Sequence, residues 1–192
     1  TNFLKYARPQ DSNFADVDIN EAIDDTVTLA RHSPDVQQSH SIEADLPKEP
    51  VIISADVSQL KQIFWNLSRN AIQAMADGGT LTIKLRRLKN NRIRIVFADT
   101  GCGMPSEQVE QLFEPFSKST TGGTGLGLSI VYQIIRDHNG TINISSKENA
   151  GTKITIELPT DYGRKTTPDE IKESQKDSVN TKLESLLNIE NK

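Results

Sequence analysis

Three short segments hold residue types from which a site for an anionic, nitrogen-rich ligand could be built. Asn66 and Asn70 are four apart, so a helix would project them from one side, with Gln73 beside them. A neutral amide oxygen is a hard ligand suited to Mg²⁺, which keeps several waters and borrows its other ligands from phosphates. The plainer alternative for such amides is a solvated helix edge. Asp99 closes the run Arg92-Ile93-Arg94-Ile95-Val96-Phe97-Ala98 and is followed by Thr100-Gly101-Cys102-Gly103-Met104. A carboxylate in a half-buried pocket accepts from an exocyclic amino group such as that of adenine, and Gly101 and Gly103 let the backbone approach a flat base; a strand-end turn uses the same residues. Gly122-Gly123-Thr124-Gly125-Leu126-Gly127-Leu128 then leads into a helical pattern. Such backbone aims free amides and the positive end of a helix dipole at an anion, although a flexible linker has the same composition. The segment is not the Walker P-loop, since no Gly-Lys-Ser/Thr follows. Nor is it the dinucleotide fingerprint, because Leu128 stands where the third glycine belongs and no strand precedes it.

The elements that must position these residues follow from periodicity. From Asp56 onward, Val57, Leu60, Ile63, Phe64, Leu67, Ala71, Ala74 and Met75 recur at helical spacing, predicting one long helix that ends at Gly78-Gly79. Leu81, Ile83 and Leu85 alternate with polar residues, as do Ile93, Ile95 and Phe97, and Lys89-Asn90-Asn91 turns one run into the other. A second helix is predicted from Leu126 to His138, stopped by Asn139-Gly140. Two further strands, around Ile142/Ile144 and Ile154/Ile156/Leu158, flank Asn149-Ala150-Gly151. Upstream, Asp18 with Glu21 marks the start of a short amphipathic helix carrying Ile19, Ala22, Ile23, Thr26, Val27 and Ala30. Between Ser39 and Ser54, with Val51-Ile52-Ile53 as one member, a strand pair is expected. Phe3 to Pro9 reads as the last turns of another helix. One-sided strands with one-sided helices predict an α+β protein: a single sheet, covered by helices on one face, in two layers.

The length of 192 residues suits one domain with appendages. Residues 13–160 are assigned to that domain, 1–12 to a helix remnant and linker, and 161–192 to a polar, disordered tail whose Leu183, Leu186, Leu187 and Ile189 could form one short helix. The net charge of −4, without any basic cluster, argues against nucleic acid as a partner. One cysteine excludes an internal disulfide, and with three scattered histidines it offers no metal-ligand spacing; a reducing, cytoplasmic setting fits. No run is apolar enough to span a membrane and no signal sequence opens the chain. Because the chain enters mid-pattern at Thr1, it reads as a piece of something longer.

The order of the motifs narrows the field. Asn66-Leu67-Ser68-Arg69-Asn70-Ala71, then Asp99-Thr100-Gly101-Cys102-Gly103-Met104, then Phe113-Glu114-Pro115-Phe116, then Gly123-Thr124-Gly125-Leu126-Gly127-Leu128 resembles the N, G1, F and G2 boxes of the sensor histidine kinases. The resemblance spans roughly residues 14 to 160, ends on Gly151-Thr152-Lys153-Ile154-Thr155-Ile156-Glu157-Leu158-Pro159, and looks most like the NtrB, PilS and AtoS group. It implies the Bergerat ATP-binding fold, a two-layer α/β sandwich with a mixed, mainly antiparallel sheet. It further implies ATP and Mg²⁺ as cofactors, with Asn70 on the metal, Asp99 accepting from adenine N6 and Thr152 supporting the base through water. Gly101, Gly103 and Met104 would shape the base pocket. Asn66, Gln73, Gly123, Thr124, Gly125, Leu126, Gly127 and Leu128 would complete the nucleotide site, and residues 117–124 would form a lid ordered by phosphates.

Lys118 is the candidate for the γ-phosphate, although Ser117-Lys118-Ser119-Thr120-Thr121 departs from the Thr-Thr-Lys usual in that group. The family's phosphoacceptor is a His followed by an acidic residue, and His32-Ser33, His40-Ser41 and His138-Asn139 all fail that test. The acceptor is therefore expected on a separate dimerisation domain of a homodimeric parent, with this piece monomeric alone. The next partner is a response regulator, of which the sigma-54 activator type is one candidate. A cytoplasmic location is implied, with anchorage of the parent in the inner membrane left open. Two other readings remain: an ATPase clamp like MutL or Hsp90, which needs a Glu where Asn66 stands, and a nucleotide-binding module without chemistry.

Overall fold

The computed structural model describes residues 13–112 and 127–161, all within the unit Thr1–Tyr162. The expected helix remnant before residue 13, the Phe113-Glu114-Pro115-Phe116 motif, the lid and the tail lie outside the described residues. In chain order the elements are β1 (Ala15–Asp18), α1 (Ile19–Arg31), β2 (His40–Asp45), β3 (Ile52–Ala55), α2 (Val57–Ala74), β4 (Gly79–Leu88), β5 (Arg92–Asp99), α3 (Ser106–Gln111), α4 (Gly127–Asp137), β6 (Thr141–Ser146) and β7 (Thr152–Pro159).

Each of the first two helices starts on an aspartate that satisfies otherwise free amides. The Asp18 carboxylate accepts from Asn20 N–H at 3.0 Å and from Val51 N–H at 3.3 Å, so the cap of α1 also holds the approach to β3. The residues that α1 buries, Ile19, Ala22, Ile23, Thr26, Val27 and Ala30, are those its periodicity predicts. Asp56 caps α2, accepting from the Ser58 and Gln59 amides, the Ser58 hydroxyl and Asn13 N–H. Burial works against its ionisation, but these hydrogen bonds together hold its pKa below the ordinary carboxylate value. The backbone N–H of Asp56 in turn donates to His138 Nε2 at 3.1 Å, while Nδ1 of the same buried ring donates to Ile134 O at 2.9 Å. His138 thus ties the end of α4 to the start of α2.

Five strands form one sheet in the order β2-β4-β5-β7-β6; β2 runs parallel to β4, and every other pairing is antiparallel. Leu81, Ile83 and Leu85 of β4, Ile93, Ile95 and Phe97 of β5, and Ile154, Ile156 and Leu158 of β7 are buried on one face. They pack in one core with Leu60, Ile63, Phe64 and Leu67 of α2 and with Val131, Ile134 and Ile135 of α4. The Phe64 and Phe97 rings meet with centroids 5.9 Å apart. The opposite face carries Lys84, Arg86, Arg94 and Glu157, where Arg86 pairs with Asp45 and Arg94 with Glu157. This is the α+β, two-layer arrangement with a mixed, mainly antiparallel sheet that the sequence predicts.

Two expectations need correction. The sheet is not single: β1 and β3 form a separate antiparallel ribbon, with Val17 opposite Ile53. The strands between Ser39 and Ser54 do not pair with each other, since β2 joins β4 in parallel and β3 joins β1. Only chain-distant partners bury Ile42 beside Leu81 and Ile53 beside Val17, and local alternation carries no information about which partner that is. The short β1 and α3 were not expected from the sequence either; both are too brief to show a period.

Candidate functional site

The inward-facing rows of the sheet end in polar residues. Across β4, β5, β7 and β6 the register sets Ile83, Phe97, Ile154 and Ile144 side by side; the next inward row is Leu81, Asp99, Thr152 and Ser146. Period-two alternation therefore points Asp99 at the helix layer, at the rim of the core, rather than into solvent. Its Oδ1 accepts from Gly101 N–H at 2.9 Å and Thr152 N–H at 3.2 Å. Oδ2 has no hydrogen-bond partner among the described residues. Burial pushes the Asp99 pKa up, and the two backbone N–H groups offset this only in part. The result is a partly desolvated acceptor with one oxygen held and one available.

The loop after Asp99 is drawn tightly across the end of α2. Cys102 N–H donates to Ala74 O at 2.9 Å, and a Cβ added at Gly101 would lie 2.5 Å from that same carbonyl, so any side chain there would push the loop off the helix. Gly103 adopts φ +63°, and a Cβ there would sit 1.9 Å from Lys147 O. Cys102 O accepts from Asn149 N–H at 2.6 Å and Met104 N–H donates to Ser146 Oγ at 2.9 Å, fastening the far side of the loop to the β6–β7 connection. The side chain of Cys102 itself is exposed.

On α2, Asn66, Asn70 and Gln73 are half-buried, and none of their side chains hydrogen-bonds another described residue. Asn70 lies one turn before Ala74, whose carbonyl receives the loop, so the amides run along the helix away from Asp99. At the other end, a Cβ built on Gly127 would stand 3.9 Å from Asn66 Oδ1, with no nearer atom in its way. The first turn of α4 therefore opens beside the α2 amides, and Leu128 packs against the core. Asp99, Gly101, Gly103, Met104 and Thr152 are thus grouped at one end of α2, and Asn66, Gly127 and Leu128 further along it. Lys118, Gly123, Thr124, Gly125 and Leu126 lie outside the described residues.

Among the described residues no group of three or more His, Cys, Asp or Glu side chains could hold a metal ion. The free amide oxygen of Asn70 fits an ion that takes most of its ligands from water and phosphate. The histidines hold backbone: besides His138, His40 accepts from Gln37 N–H at Nδ1 and donates from Nε2 to Met75 O at 2.8 Å. One residue of the site escaped the sequence reading. Ser146 lies in the alternating pattern of β6 as an ordinary strand serine, and its only signal is that it falls on the inward parity of Ile142 and Ile144.

Residues 55–162 match the family of histidine kinase-, DNA gyrase B-, and HSP90-like ATPases. The chain belongs to that family. Sporulation kinase E of Bacillus subtilis (strain 168) is 35% identical over 162 residues, covering 83% of this chain and 21% of that protein. The signal transduction histidine-protein kinase AtoS of Escherichia coli (strain K12) is 31% identical over 156 residues, covering 81% of this chain and 26% of AtoS, in keeping with the subgroup resemblance. The chain thus spans about a quarter of the length of these curated relatives. Among solved structures, the nucleotide-free catalytic domain of the histidine kinase ThkA is similar with TM-score 0.70 and 31% identity, over 78% of this chain and 97% of that one. ThkA in complex with the response regulator protein TrrA is similar with TM-score 0.68 and 28% identity, over 82% of this chain and 45% of that one. The ATPase-family match and these folds make this an ATP-binding domain of the histidine-kinase kind.

Proposed function

We propose that this domain binds Mg·ATP between the end of the sheet and α2 and presents the γ-phosphate to a histidine on a separate dimerisation domain, from which it passes to a response regulator. The observation that carries the reading is Asp99: one carboxylate oxygen saturated by backbone, the other open, at the rim of an apolar core that receives the flat face of a base. Adenine N6–H donates to the open oxygen. Gly101 and Gly103 let the ring lie close to the backbone, with Met104 beside it and Thr152 supporting the base. Asn66, Asn70 and Gln73 face the phosphates, and the glycines up to Gly127 with Leu128 complete that end. Asn70 would hold Mg²⁺, which when bound neutralises triphosphate charge. Lys118 is the candidate for the γ-phosphate.

Transfer of this kind needs positioning more than chemistry from the chain. Asn66 stands where a hydrolytic clamp would carry a Glu, and a neutral amide cannot take a proton from water near pH 7. The remaining proposals are a homodimeric parent in the cytoplasm or at the inner membrane, a monomeric isolated domain, and a regulator of the sigma-54 activator type. The described residues include no helix long and apolar enough to cross a membrane.

The test is direct. The chain is mixed with ATP labelled at the γ-phosphate, first alone and then with a separately supplied dimerisation domain carrying a His-Glu or His-Asp pair. It should bind ATP, label nothing alone, hydrolyse barely above background, and transfer label to the added domain in an acid-labile, base-stable form. Brisk hydrolysis of order one turnover per second, a typical enzymatic rate, with no transfer would overturn the kinase reading in favour of the clamp.

A further inference from the structure

Ser146 sits at the centre of a hydrogen-bond cluster whose protons can be counted. Its Oγ lies 2.9 Å from Met104 N, 3.2 Å from Gly151 O and 2.9 Å from Thr152 Oγ1. A hydroxyl has one proton to give and two lone pairs to receive with. Met104 N–H can only donate, which uses one lone pair. Gly151 O can only accept, which takes the Ser146 proton. The remaining lone pair is then the only part of Ser146 left for Thr152, so the Thr152 hydroxyl must be the donor in that contact. With its proton committed to Ser146, Thr152 Oγ1 offers the pocket lone pairs alone. Asp99 Oδ2, beside it in the same inward row, also offers lone pairs alone when ionised.

We propose that Ser146 is a specificity-determining residue: by taking the Thr152 proton it keeps this end of the pocket purely accepting, which selects a purine with an exocyclic amino group over one with a carbonyl at the same position. The inference rests on the reading of Asp99 and Thr152 as the base pocket. An amino-purine meets two acceptors with its N–H groups, directly or through a water that donates to Thr152 Oγ1 and turns its second proton to the ring nitrogen. A 6-oxo-purine brings its carbonyl oxygen against the same lone pairs, and that unpaired contact disfavours it. Ser146 touches no ligand in this account. It acts through Thr152 and, by holding Met104 N–H, through the glycine loop.

The test compares ADP with inosine diphosphate by calorimetry on the whole chain. Wild type should prefer ADP. Ser146→Ala releases the Thr152 hydroxyl to turn into the pocket, where it donates to the inosine carbonyl, so the ADP-to-IDP preference should fall by about tenfold. Ser146→Thr keeps the hydroxyl and should keep the preference. In a Thr152→Val background there is no proton to redirect, so adding Ser146→Ala should leave the preference where Thr152→Val alone puts it. If the alanine variant does not fold, Ser146→Cys still fills the site, with a larger and only weakly accepting sulfur in place of the hydroxyl, and should move the preference in the same direction.

A wild type that prefers ADP, with a Ser146→Ala variant that loses affinity for both nucleotides in equal proportion, would reduce Ser146 to a structural residue and leave the nucleotide site standing. A wild type that binds no ADP at all overturns the nucleotide site and this role with it.

Discussion

The two ends of the candidate site are built from different materials. The end proposed to take the base is made of sheet: Asp99, Thr152 and Ser146 come from three adjacent strands, and the loop from Gly101 to Met104 is stitched to α2 on one side and to the β6–β7 connection on the other. Apart from Asp99 Oδ2, its polar groups are largely paired within the protein. The end proposed to take the phosphates is made of helix: the side chains of Asn66, Asn70 and Gln73 stand along α2 without partners among the described residues, with Asn66 beside the start of α4. A flat, neutral base is discriminated by a few directed hydrogen bonds, and these gain from groups fixed before the ligand arrives. A hydrated, highly charged ion pair of metal and phosphate is held by ligands that can exchange protein for water, and free amides supply them.

The largest effect is expected at Asp99. Asp99→Asn keeps an oxygen for Gly101 and Thr152 N–H but can present donors to adenine, so affinity for adenosine, ADP and Mg·ATP should all fall by about tenfold or more in calorimetry. The same variant should unfold no earlier than wild type at neutral pH. Because the folded-state pKa of Asp99 is raised, the folded protein binds the proton more tightly than the unfolded chain, and the charge costs stability as pH rises through that window. An unchanged affinity would remove Asp99 from the site.

At the other end, Asn70→Ala should weaken Mg·ATP several-fold, about the worth of one ligand contact to a charged group, and leave adenosine and metal-free ADP nearly unaffected. Equal weakening of all three would mean that Asn70 supports the fold and not the ion. A smaller effect follows from pH. Only ionised Asp99 is a pure acceptor, so ADP affinity should decline as pH falls towards the carboxylate range, beginning at a higher pH than an ordinary carboxylate would dictate, and Asp99→Asn should flatten that part of the profile. The smallest effect on binding belongs to Asp56, remote from both ends at the start of α2. Asp56→Ala should destabilise the fold by about 1–2 kcal/mol, as lost N-caps do, while ADP affinity holds. Since its folded-state pKa is depressed, the contribution of Asp56 is present at neutral pH and lost as pH falls through that depressed pKa, so the stability gap between wild type and variant should close in acid.

Much of this was legible in the chain because it is local. The amphipathic period of α1 and α2, the Asp18 cap, the β4–β5 hairpin with Asn91 at φ +52°, and the order of the four motifs depend on residues close together in sequence. Residue types alone left a solvated helix edge, a strand-end turn and a linker open; it was the order of the four motifs, and its resemblance to the histidine-kinase boxes, that pointed to a nucleotide.

Tertiary structure alone decided which strands meet. It put β2 in parallel beside β4 and sent β3 to β1, where the sequence suggested a local pair, because a strand's own alternation fixes which face is buried and not whose edge lies beside it. The register of β7 with its two neighbours likewise set Ser146 of β6 against Thr152, and Thr152 against Asp99 of β5, 53 residues away in the chain. The direction of the Thr152 proton, and hence the character of the pocket, is a property of that register: a hydroxyl has no preference of its own until neighbours from other strands fix which of them gives and which receives.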